Sequence, residues 1–479
     1  MAKDKTFVEN ITPQEEDFSR WYTDVIMQAK LVDYSDVKGC MVIREYGYGI
    51  WELIQKEMDA RFKATGHKNA YFPMLIPESL LKKEAEHVEG FAPEVAWVTQ
   101  GGSEPLAERL CIRPTSETII CSMYSRWVQS YRDLPLLLNQ WANVVRWEKT
   151  TRPFLRTSEF LWQEGHTVHA TQQEAEEETE KMLGVYREFA ENVLAIPVVV
   201  GRKSEKEKFA GALHTYTMEA LMQDGRALQM GTSHNLGQNF AKGFDIQFLD
   251  SDGQLKYVWQ TSWGTSTRMI GGLIMVHGDE RGLKLPPKVA PIQCVIVPVA
   301  AHKEGVLDKA HEIYNALTEA GIRAELDDRE QSPGWKFNEW ELKGVPVRLE
   351  IGPRDIEKGE AVLARRDTHE KTSAAIADIQ DSVAALLDAI QKNMLEQARS
   401  FRDSHTFTAK DWDEFMRGIE EGHGFVRAMW CEETGCETAI KEKTGVTTRC
   451  MPFEQEALSG TCVHCGKPAK KLTYFAKAY

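Results

Sequence analysis

Residues 140–169 constrain this chain more than any other stretch, because strand-like runs alternate there with charged residues at fixed spacing. An apolar run leads into Arg146 and Glu148, which are two residues apart and therefore project from one face of a strand. A basic loop follows, and a second apolar run brings Glu164 and His166 back. The pattern predicts a β-hairpin with opposite charges on one face. Such a face can bind a ligand that is anionic at one end and cationic at the other.

The same stretch carries a family resemblance. Arg-x-Glu, a loop and the string FLRTSEFLWQEGH resemble motif 2 of the class II aminoacyl-tRNA synthetases, and of the prolyl-tRNA synthetase family in particular. A surface hairpin with internal ion pairs is the alternative, and it accounts for Arg-x-Glu alone equally well. The Trp-Gln-Glu-Gly-His tail is more specific. The resemblance is to the archaeal and eukaryote-like type, because the chain has no room between motifs 2 and 3 for the editing insertion of bacterial-type enzymes.

Composition bounds the class of protein. A chain of 479 residues is too long to fold around one hydrophobic core, and its length suggests roughly three domains. A content of 42% hydrophobic and 27% charged residues is typical of a globular protein. A net charge of −14 excludes a sequence-independent nucleic-acid coat but allows a partner on a local basic surface. No apolar run approaches a membrane span, and the first residues lack the apolar core of a signal peptide. We therefore expect a cytoplasmic protein without membrane contact.

Two helices and a proline-bearing strand are predicted before the hairpin. Apolar residues recur at helical spacing within residues 10–35 and again within residues 50–62. The string GHKNAYFPMLIP then predicts a short strand with Pro73 inside it, which confines that strand to a sheet edge or an interface. Helix and strand together resemble motif 1, which implies a homodimer. A plain edge strand is the alternative.

The segment Thr115-Ser116-Glu117 follows a proline and begins a helix-like run. Helix capping by Thr115 or Ser116 is one interpretation. The other is a set of acceptors for a ligand's ammonium group, since a carboxylate and a hydroxyl match the two N–H groups of protonated proline. The resemblance to the prolyl family implies the second role for Thr115 and Glu117.

Two later strings complete the resemblance in the first domain. GTSHNLGQNF is similar to the prolyl family and differs from seryl, threonyl and glycyl relatives, while a polar turn is its alternative. Arg268 stands just before an apolar helix, and a helix N-terminus beside an arginine favours anions. This segment resembles motif 3, although Thr265, Ser266 and Thr267 stand where other class II sequences have glycine and glutamate.

After the linker KLPPKVAP, strands and helices alternate over roughly a hundred residues, which predicts an α/β domain. It resembles the anticodon-binding domain shared by several class II synthetases. The resemblance assigns anticodon contacts to Glu341, Arg348, Arg354 and Asp355. Charged residues at strand ends also occur without such a function. Residues 373–400 are predicted to be helical.

Five of the nine cysteines follow residue 430, and four of them form two pairs, Cys431 with Cys436 and Cys462 with Cys465. Two thiolate pairs on tight loops predict a closed, structural Zn²⁺ site, and Cys450 falls outside either pair. The chain ends in Tyr479, as several prolyl enzymes of this type do, with the end tucked toward the active site. A frayed tail is the alternative.

The resemblance implies an α/β multidomain fold: a class II catalytic domain with an antiparallel sheet over residues 1–286, an α/β anticodon-binding domain over 287–400, and a small zinc-binding α/β domain over 401–479. It implies ATP-dependent activation of L-proline with Mg²⁺, transfer to tRNA(Pro), and catalytic roles for Arg146 and Arg268. The residues it assigns to proline are Thr115, Glu117, Arg146, Trp162, Glu164, His166, Phe209 and His234. The residues it assigns to ATP are Arg146, Glu148, Arg156, Thr157, Gln229, Thr232, Ser266 and Arg268.

Two alternatives to that function stay open. One is a synthetase-like protein that binds RNA or a partner without catalysis, although such a protein would be expected to lack one of the phosphate-handling groups. The other is an enzyme that accepts another amino acid, including cysteine beside proline. Trp162 and Phe209 could equally be core residues.

Overall fold

The computed structural model of the chain describes residues 11–87 and 94–479. The first ten residues, on which the expectation about a signal peptide partly rests, lie outside the described residues. The elements up to the linker are α1 (Phe18–Gln28), β1 (Val32–Tyr34), β2 (Met41–Ile43), α2 (Glu45–Ala64), β3 (Lys68–Asn69), β4 (Leu75–Pro77), α3 (Glu78–His87), β5 (Trp97–Gly101), β6 (Glu104–Ile112), α4 (Glu117–Trp127), β7 (Leu136–Val145), β8 (Glu159–His169), α5 (Gln172–Asn192), β9 (Val198–Arg202), β10 (His214–Leu221), β11 (Ala227–Gly237), α6 (Asn239–Phe244), β12 (Gln247–Leu249), β13 (Leu255–Tyr257), β14 (Trp259–Ser266) and α7 (Arg268–His277).

The central sheet of this part is antiparallel over the order β9-β10-β11-β14-β8-β7, and β3 adds to it in parallel. The predicted hairpin is confirmed as β7 and β8, whose register runs from Leu136 opposite Val168 to Val145 opposite Glu159. Helices α1, α2, α5 and α7 contribute buried residues to the main core. On α2, Ile54, Met58 and Phe62 recur at helical spacing and are buried, and burial of each such side chain contributes about 1.5–3 kcal/mol.

The second part is an α/β unit, as predicted. Its elements are β15 (Cys294–Pro298), α8 (Val306–Glu319), β16 (Ala324–Leu326), α9 (Pro333–Leu342), β17 (Val347–Ile351), α10 (Pro353–Lys358), β18 (Glu360–Arg365), β19 (Lys371–Ala375) and α11 (Ile379–Ser404). The sheet order is β16-β15-β17-β18-β19, with parallel pairs among the first three strands and antiparallel pairs beyond them.

The third part comprises β20 (Thr406–Ala409), α12 (Trp412–Gly422), β21 (Phe425–Trp430), α13 (Thr434–Thr444), β22 (Thr447–Pro452) and β23 (Lys471–Ala476). Its strands do not form a separate sheet. β22 pairs with β9 through Met451 opposite Arg202 and Pro452 opposite Gly201, so one sheet of 11 strands runs through the third part and the catalytic part. The sequence did not predict this continuity.

The structure corrects several boundaries. Pro73 lies between β3 and β4 rather than inside a strand, because a residue without a backbone N–H interrupts the ladder. The first helix occupies only Phe18–Gln28, since the chain turns into β1 soon after it. The long helix begins at Ile379, and the residues before it form β19 and a short turn. Cys436 lies in α13 rather than in a loop.

Among the described residues, no helix is both long enough and apolar enough to cross a membrane.

Candidate active site

A cavity of about 320 Å³ lies on the central antiparallel sheet. It gathers all the residues predicted to bind proline and five of the eight predicted to bind ATP. The predicted residues that line it are Thr115, Glu117, Arg146, Trp162, Glu164, His166, Phe209, Gln229, Thr232, His234, Ser266 and Arg268. Residues from distant parts of the chain thus converge on one cavity, as the sequence predicts.

Two carboxylates line the cavity, and the part of the wall that they form is called the acidic end here. Glu117 is the first residue of α4 and accepts a hydrogen bond from the Thr115 hydroxyl. Ser116, at the helix N-cap, makes no side-chain capping bond, so the capping interpretation is not supported by the geometry. Glu164 on β8 accepts a hydrogen bond of 2.9 Å from the Gln140 amide. Both carboxylates are buried and face a space that a cationic group can enter.

Two histidines flank these carboxylates, and their pKa values shift in opposite directions. Burial lowers the pKa of His166, but its 2.9 Å hydrogen bond to Glu164 and the charges of Glu164 and Glu117 outweigh burial and raise it above the ordinary value. Burial and the neighbouring His166 and Lys203 lower the pKa of His234 to about 3. His234 is therefore neutral at physiological pH, and its two ring nitrogens contact the Thr215 and Thr232 hydroxyls at 2.8 and 3.0 Å.

Two arginines also line the cavity. Arg146 lies one residue beyond β7, donates from Nε to the Pro114 carbonyl at 2.9 Å, and lies 5.5 Å from the ring centroids of both Phe160 and Trp162. Arg268 begins α7, and its Nε lies 3.3 Å from the Leu155 carbonyl oxygen. Burial lowers the pKa of Arg268, and the charges of Arg156 and Arg146 lower it further. Arg146 and Arg268 line the same cavity.

The remaining residues predicted for ATP lie beside this cavity. Glu148 and Arg156 line an adjoining cavity that shares Arg146, and their side chains are 3.8 Å apart. Glu148 lies beyond the end of β7, so strand alternation does not set the direction of its side chain, and that part of the prediction is wrong. Thr157 lines a separate, more apolar cavity with Phe160 and Thr267 and donates to the Glu159 carbonyl at 2.7 Å.

Gly165 lies between Glu164 and His166, and its surroundings explain why glycine stands at this position. It lies opposite Trp263 in the β8–β14 ladder, and a Cβ atom at this position would come within 2.1 Å of the Trp263 ring. Only glycine lets the indole pack flat against the strand. Trp263 is therefore a buried wall between the sheet and the core, although one edge reaches the cavity.

The predicted anticodon residues divide into two places. Glu341, at the end of α9, contacts Arg348 on β17 at 3.1 Å, and Arg348 also contacts Glu350 at 2.9 Å. Arg354 and Asp355 lie in α10, where Arg354 is exposed. Asp355 accepts from the Gly352 N–H at 2.8 Å, so its carboxylate already caps that helix.

The four predicted thiols form one cluster, with all sulfur atoms within 4.8 Å of one another. Cys436 and Cys462 are 3.6 Å apart, as are Cys431 and Cys465. Zinc–sulfur bonds of about 2.3 Å in a tetrahedron place sulfur atoms about 3.8 Å apart, so the cluster is compatible with zinc. Cys450 lies buried in β22, outside the cluster, as predicted.

The chain end is docked rather than frayed. The Tyr479 N–H donates to the Ala227 carbonyl at 3.1 Å, and its hydroxyl donates to Asp224 at 2.6 Å. Arg152, from the loop between β7 and β8, lies 5.9 Å from the centroid of the tyrosine ring.

Several residues that line the cavity or hold its side chains were missed. Gln140 and Thr215 are hidden within strand runs, and their roles depend on register that a single sequence does not specify. Lys203 and Glu207 also line the cavity, although the string KSEKEK reads as a solvated surface loop. Their only signal is that they follow the end of a buried strand.

Family models divide the chain in the same order as these parts. The model described as "tRNA synthetase class II core domain (G, H, P, S and T)" matches residues 97–277, which include every residue that lines the main cavity. "Anticodon binding domain" matches residues 293–386, and "Prolyl-tRNA synthetase, C-terminal" matches residues 412–479. The fold and the cavity are thus those of a class II aminoacyl-tRNA synthetase.

Full-length relatives show which family of class II synthetases the chain belongs to. The chain is 66% identical over 478 residues to "Proline--tRNA ligase" of Alkaliphilus oremlandii, with 100% of this chain and 99% of the relative covered. The protein of the same name from Acetoanaerobium sticklandii is also 66% identical over 478 residues, with the same coverage. That of Clostridium novyi is 61% identical over 479 residues, with both chains fully covered. The chain belongs to the prolyl-tRNA synthetase family.

Proposed function

We propose that this chain is a proline–tRNA ligase that activates L-proline with ATP and transfers it to the 3′ end of tRNA(Pro). One observation carries the proposal: Arg146 and Arg268 line the same cavity as Glu117 and Glu164. The family membership supports it, since the full-length relatives are named proline–tRNA ligases. A cavity lined by both guanidinium groups and carboxylates fits an amino acid beside a triphosphate.

Proline binds with its ammonium group at the acidic end. The Glu117 carboxylate and the Thr115 hydroxyl receive the two N–H groups, and Glu164 adds negative charge. Phe209 lies 4.7 Å from the neutral His234 ring and supplies an apolar wall for the pyrrolidine ring. Removing a methylene changes binding by only about 1–3 kcal/mol, so alanine and cysteine are weakly excluded competitors.

Activation needs no protein nucleophile, because the proline carboxylate is already an anion. Its oxygen attacks the α-phosphorus of ATP, the bond to the bridging oxygen breaks, and pyrophosphate leaves. Arg146 contacts both the carboxylate and the α-phosphate, and Arg268 holds the γ-phosphate. Glu148 accepts from the adenine amino group, while Arg156, Thr157 and Ser266 line the path of the nucleotide.

Class II synthetases use Mg²⁺ with ATP, and the oxygen atoms available near the phosphates fit that ion. Gln229 and Thr232 offer an amide and a hydroxyl oxygen and would hold it together with water. When bound, Mg²⁺ supplies neutralisation of phosphate charge. Arg146 and Arg268 belong to the protein itself and neutralise phosphate charge in addition to the ion.

Transfer follows when a hydroxyl of the terminal ribose of tRNA attacks the prolyl carbonyl and AMP leaves. Residues 287–400 form the anticodon-binding domain in this proposal. Glu341, Arg348, Arg354 and Asp355 read the anticodon, and guanidinium forks and carboxylates suit the edges of guanine.

The domain division is 1–286, 287–400 and 401–479. Zinc at Cys431, Cys436, Cys462 and Cys465 has a structural role, because four thiolates leave no open position for chemistry. The chain forms a homodimer through the motif 1 segment, where Tyr71 is 70% exposed and Leu75 is also exposed. Light scattering behind gel filtration tests the dimer, and a uniform monomer would contradict it.

Pyrophosphate exchange with each amino acid tests the function. We expect exchange that depends on proline and falls at least about 100-fold in Arg146→Ala, because losing one contact to developing charge typically costs that much. Arg187→Ala is the control, since Arg187 lies on the exposed side of α5, pairs with Glu191 and does not line the cavity. Absence of exchange with every amino acid would favour a non-catalytic binding protein, and equal exchange with cysteine would widen the substrate.

A further inference from the structure

Lys203 is a buried cation in the cavity that the mechanism above does not use. It follows β9 directly, is only 5% exposed, and lines the cavity. Its nearest anionic atom is Glu219 Oε1 at 3.5 Å, beyond the usual length of a hydrogen bond. Within the described residues its ammonium group donates no hydrogen bond. A largely buried ammonium that donates no hydrogen bond to the protein is costly unless water or a ligand in the cavity receives its N–H groups.

Glu219 does not neutralise the charge of Lys203, because its carboxylate already forms an ion pair with another cation. This carboxylate is completely buried, and its Oε2 accepts from Arg449 Nε at 3.0 Å and from Arg449 Nη2 at 2.7 Å. Its Oε1 accepts from the Thr217 hydroxyl at 3.0 Å. Two cations therefore share one anion, and the charge left over is that of Lys203, at the wall of the cavity.

The C-terminal part of the chain builds this arrangement. Arg449 lies on β22, the strand that pairs with β9 immediately before Lys203. Ser204, the next residue, donates to Glu437 of α13 at 2.9 Å. The Lys203 N–H donates to the Thr215 carbonyl at 2.8 Å. Contacts on both sides thus fix the backbone of Lys203, and its side chain extends to the cavity from a rigid base.

The position of Glu219 indicates the kind of anion. Glu219 lies opposite Gln229 in the β10–β11 ladder, so Lys203 approaches the cavity on the side where the proposed reaction has phosphate groups. The proline carboxylate already has Arg146 as its cation. We propose that Lys203 binds a phosphate group during the reaction, and that Arg449 acts as a positioning residue by neutralising Glu219 so that Lys203 stays directed at the cavity. The phosphate belongs either to ATP or to the acceptor end of tRNA.

The first test rests on the proposed function, because it needs wild-type protein that shows proline-dependent pyrophosphate exchange. If the wild-type protein shows no such exchange, that result contradicts the proposed function and not the role of Lys203. Lys203→Met is expected to lower kcat/KM for ATP in exchange by about 10–100-fold, with Lys203→Arg recovering most of it. If exchange is normal but transfer from preformed prolyl-adenylate to tRNA slows by that factor, the phosphate is that of tRNA. Lys206→Met is the control, since Lys206 is exposed, donates to the Thr438 hydroxyl and does not line the cavity. Both rates within about twofold of wild type in Lys203→Met would overturn the proposal.

A second set of variants tests Arg449. In Arg449→Met, Lys203 becomes the counter-ion of Glu219 and is drawn away from the cavity. The reaction step that is slowed in Lys203→Met, either exchange or transfer, should therefore be slowed in Arg449→Met by a similar factor. Glu219→Gln combined with Arg449→Met removes the competing carboxylate and should return that rate to within about threefold of wild type. A purely structural role would give no such recovery, and an equally slow double variant would overturn the positioning role. If Arg449→Met does not fold, the double variant alone still decides between these outcomes.

Discussion

Replacement of Glu117 by glutamine removes one charge from the acidic end of the cavity and keeps the shape of the side chain. The Thr115 hydroxyl can still donate to the amide oxygen, so the local hydrogen bond survives. What is lost is a charge-assisted bond to the ammonium group of proline, which contributes about 1.5–3 kcal/mol. At about 1.4 kcal/mol per factor of ten, KM for proline should rise about 10–150-fold. Glu164 remains and compensates in part, which favours the lower half of that range.

Exchange kinetics with proline and ATP varied separately provide the assay. KM for ATP should stay within about twofold, because the carboxylate faces the amino acid and not the phosphates. Tetrahydrofuran-2-carboxylate, which has an oxygen in place of the ring N–H groups, should compete much less than proline in the wild type, and this difference should shrink in Glu117→Gln. Glu178→Gln is the matched control: Glu178 is equally buried but pairs with His67 outside the cavity, at 2.7 Å. An unchanged KM for proline with a raised KM for ATP would refute the assignment of the acidic end.

Three further outcomes are expected. KM for proline should fall as pH rises through the raised pKa of His166, above its ordinary value near 6.5, because the neutral imidazole no longer competes for Glu164; a similar dependence in His166→Gln would contradict this. Cys462→Ser should lose the zinc measured by plasma mass spectrometry and lower the thermal unfolding temperature, since structural zinc contributes directly to folding; retention of one zinc per chain would contradict the site. Gly165→Ala should destabilise the protein by about 1–3 kcal/mol in urea, because its Cβ overlaps Trp263; an unchanged midpoint would show that the ring can move.

The sequence was most informative where function depends on residues that lie close along the chain. The hairpin with Glu164, the helix that begins at Glu117 and the helix that begins at Arg268 were found where they were predicted, because strand alternation and helix starts are local properties. Arg146 is the exception, since it lies one residue beyond β7. Recognition of the family joined these segments into one site. Periodicity alone would have left them as three unconnected polar strings.

What the sequence did not show depends on contacts between distant segments. Arg449 and Glu219 are separated by 230 residues, and no local pattern couples them. The pairing of β22 with β9 is likewise invisible to local reasoning, because either strand alone is an ordinary apolar run. Pro73 was misplaced for a related reason: a proline shows that a ladder is interrupted but not on which side the strand resumes.

The pairing of β22 with β9 also bears on how the chain folds as it is made. Until residues 447–452 leave the ribosome, Gly201 and Arg202 of β9 lack the strand that pairs with them, so this end of β9 is an open edge of a nearly complete sheet. Such an edge attracts other extended chains, so the nascent protein is most prone to misassociation just before its last segment is synthesised. A shortened chain that ends before Thr447 keeps this vulnerability permanently.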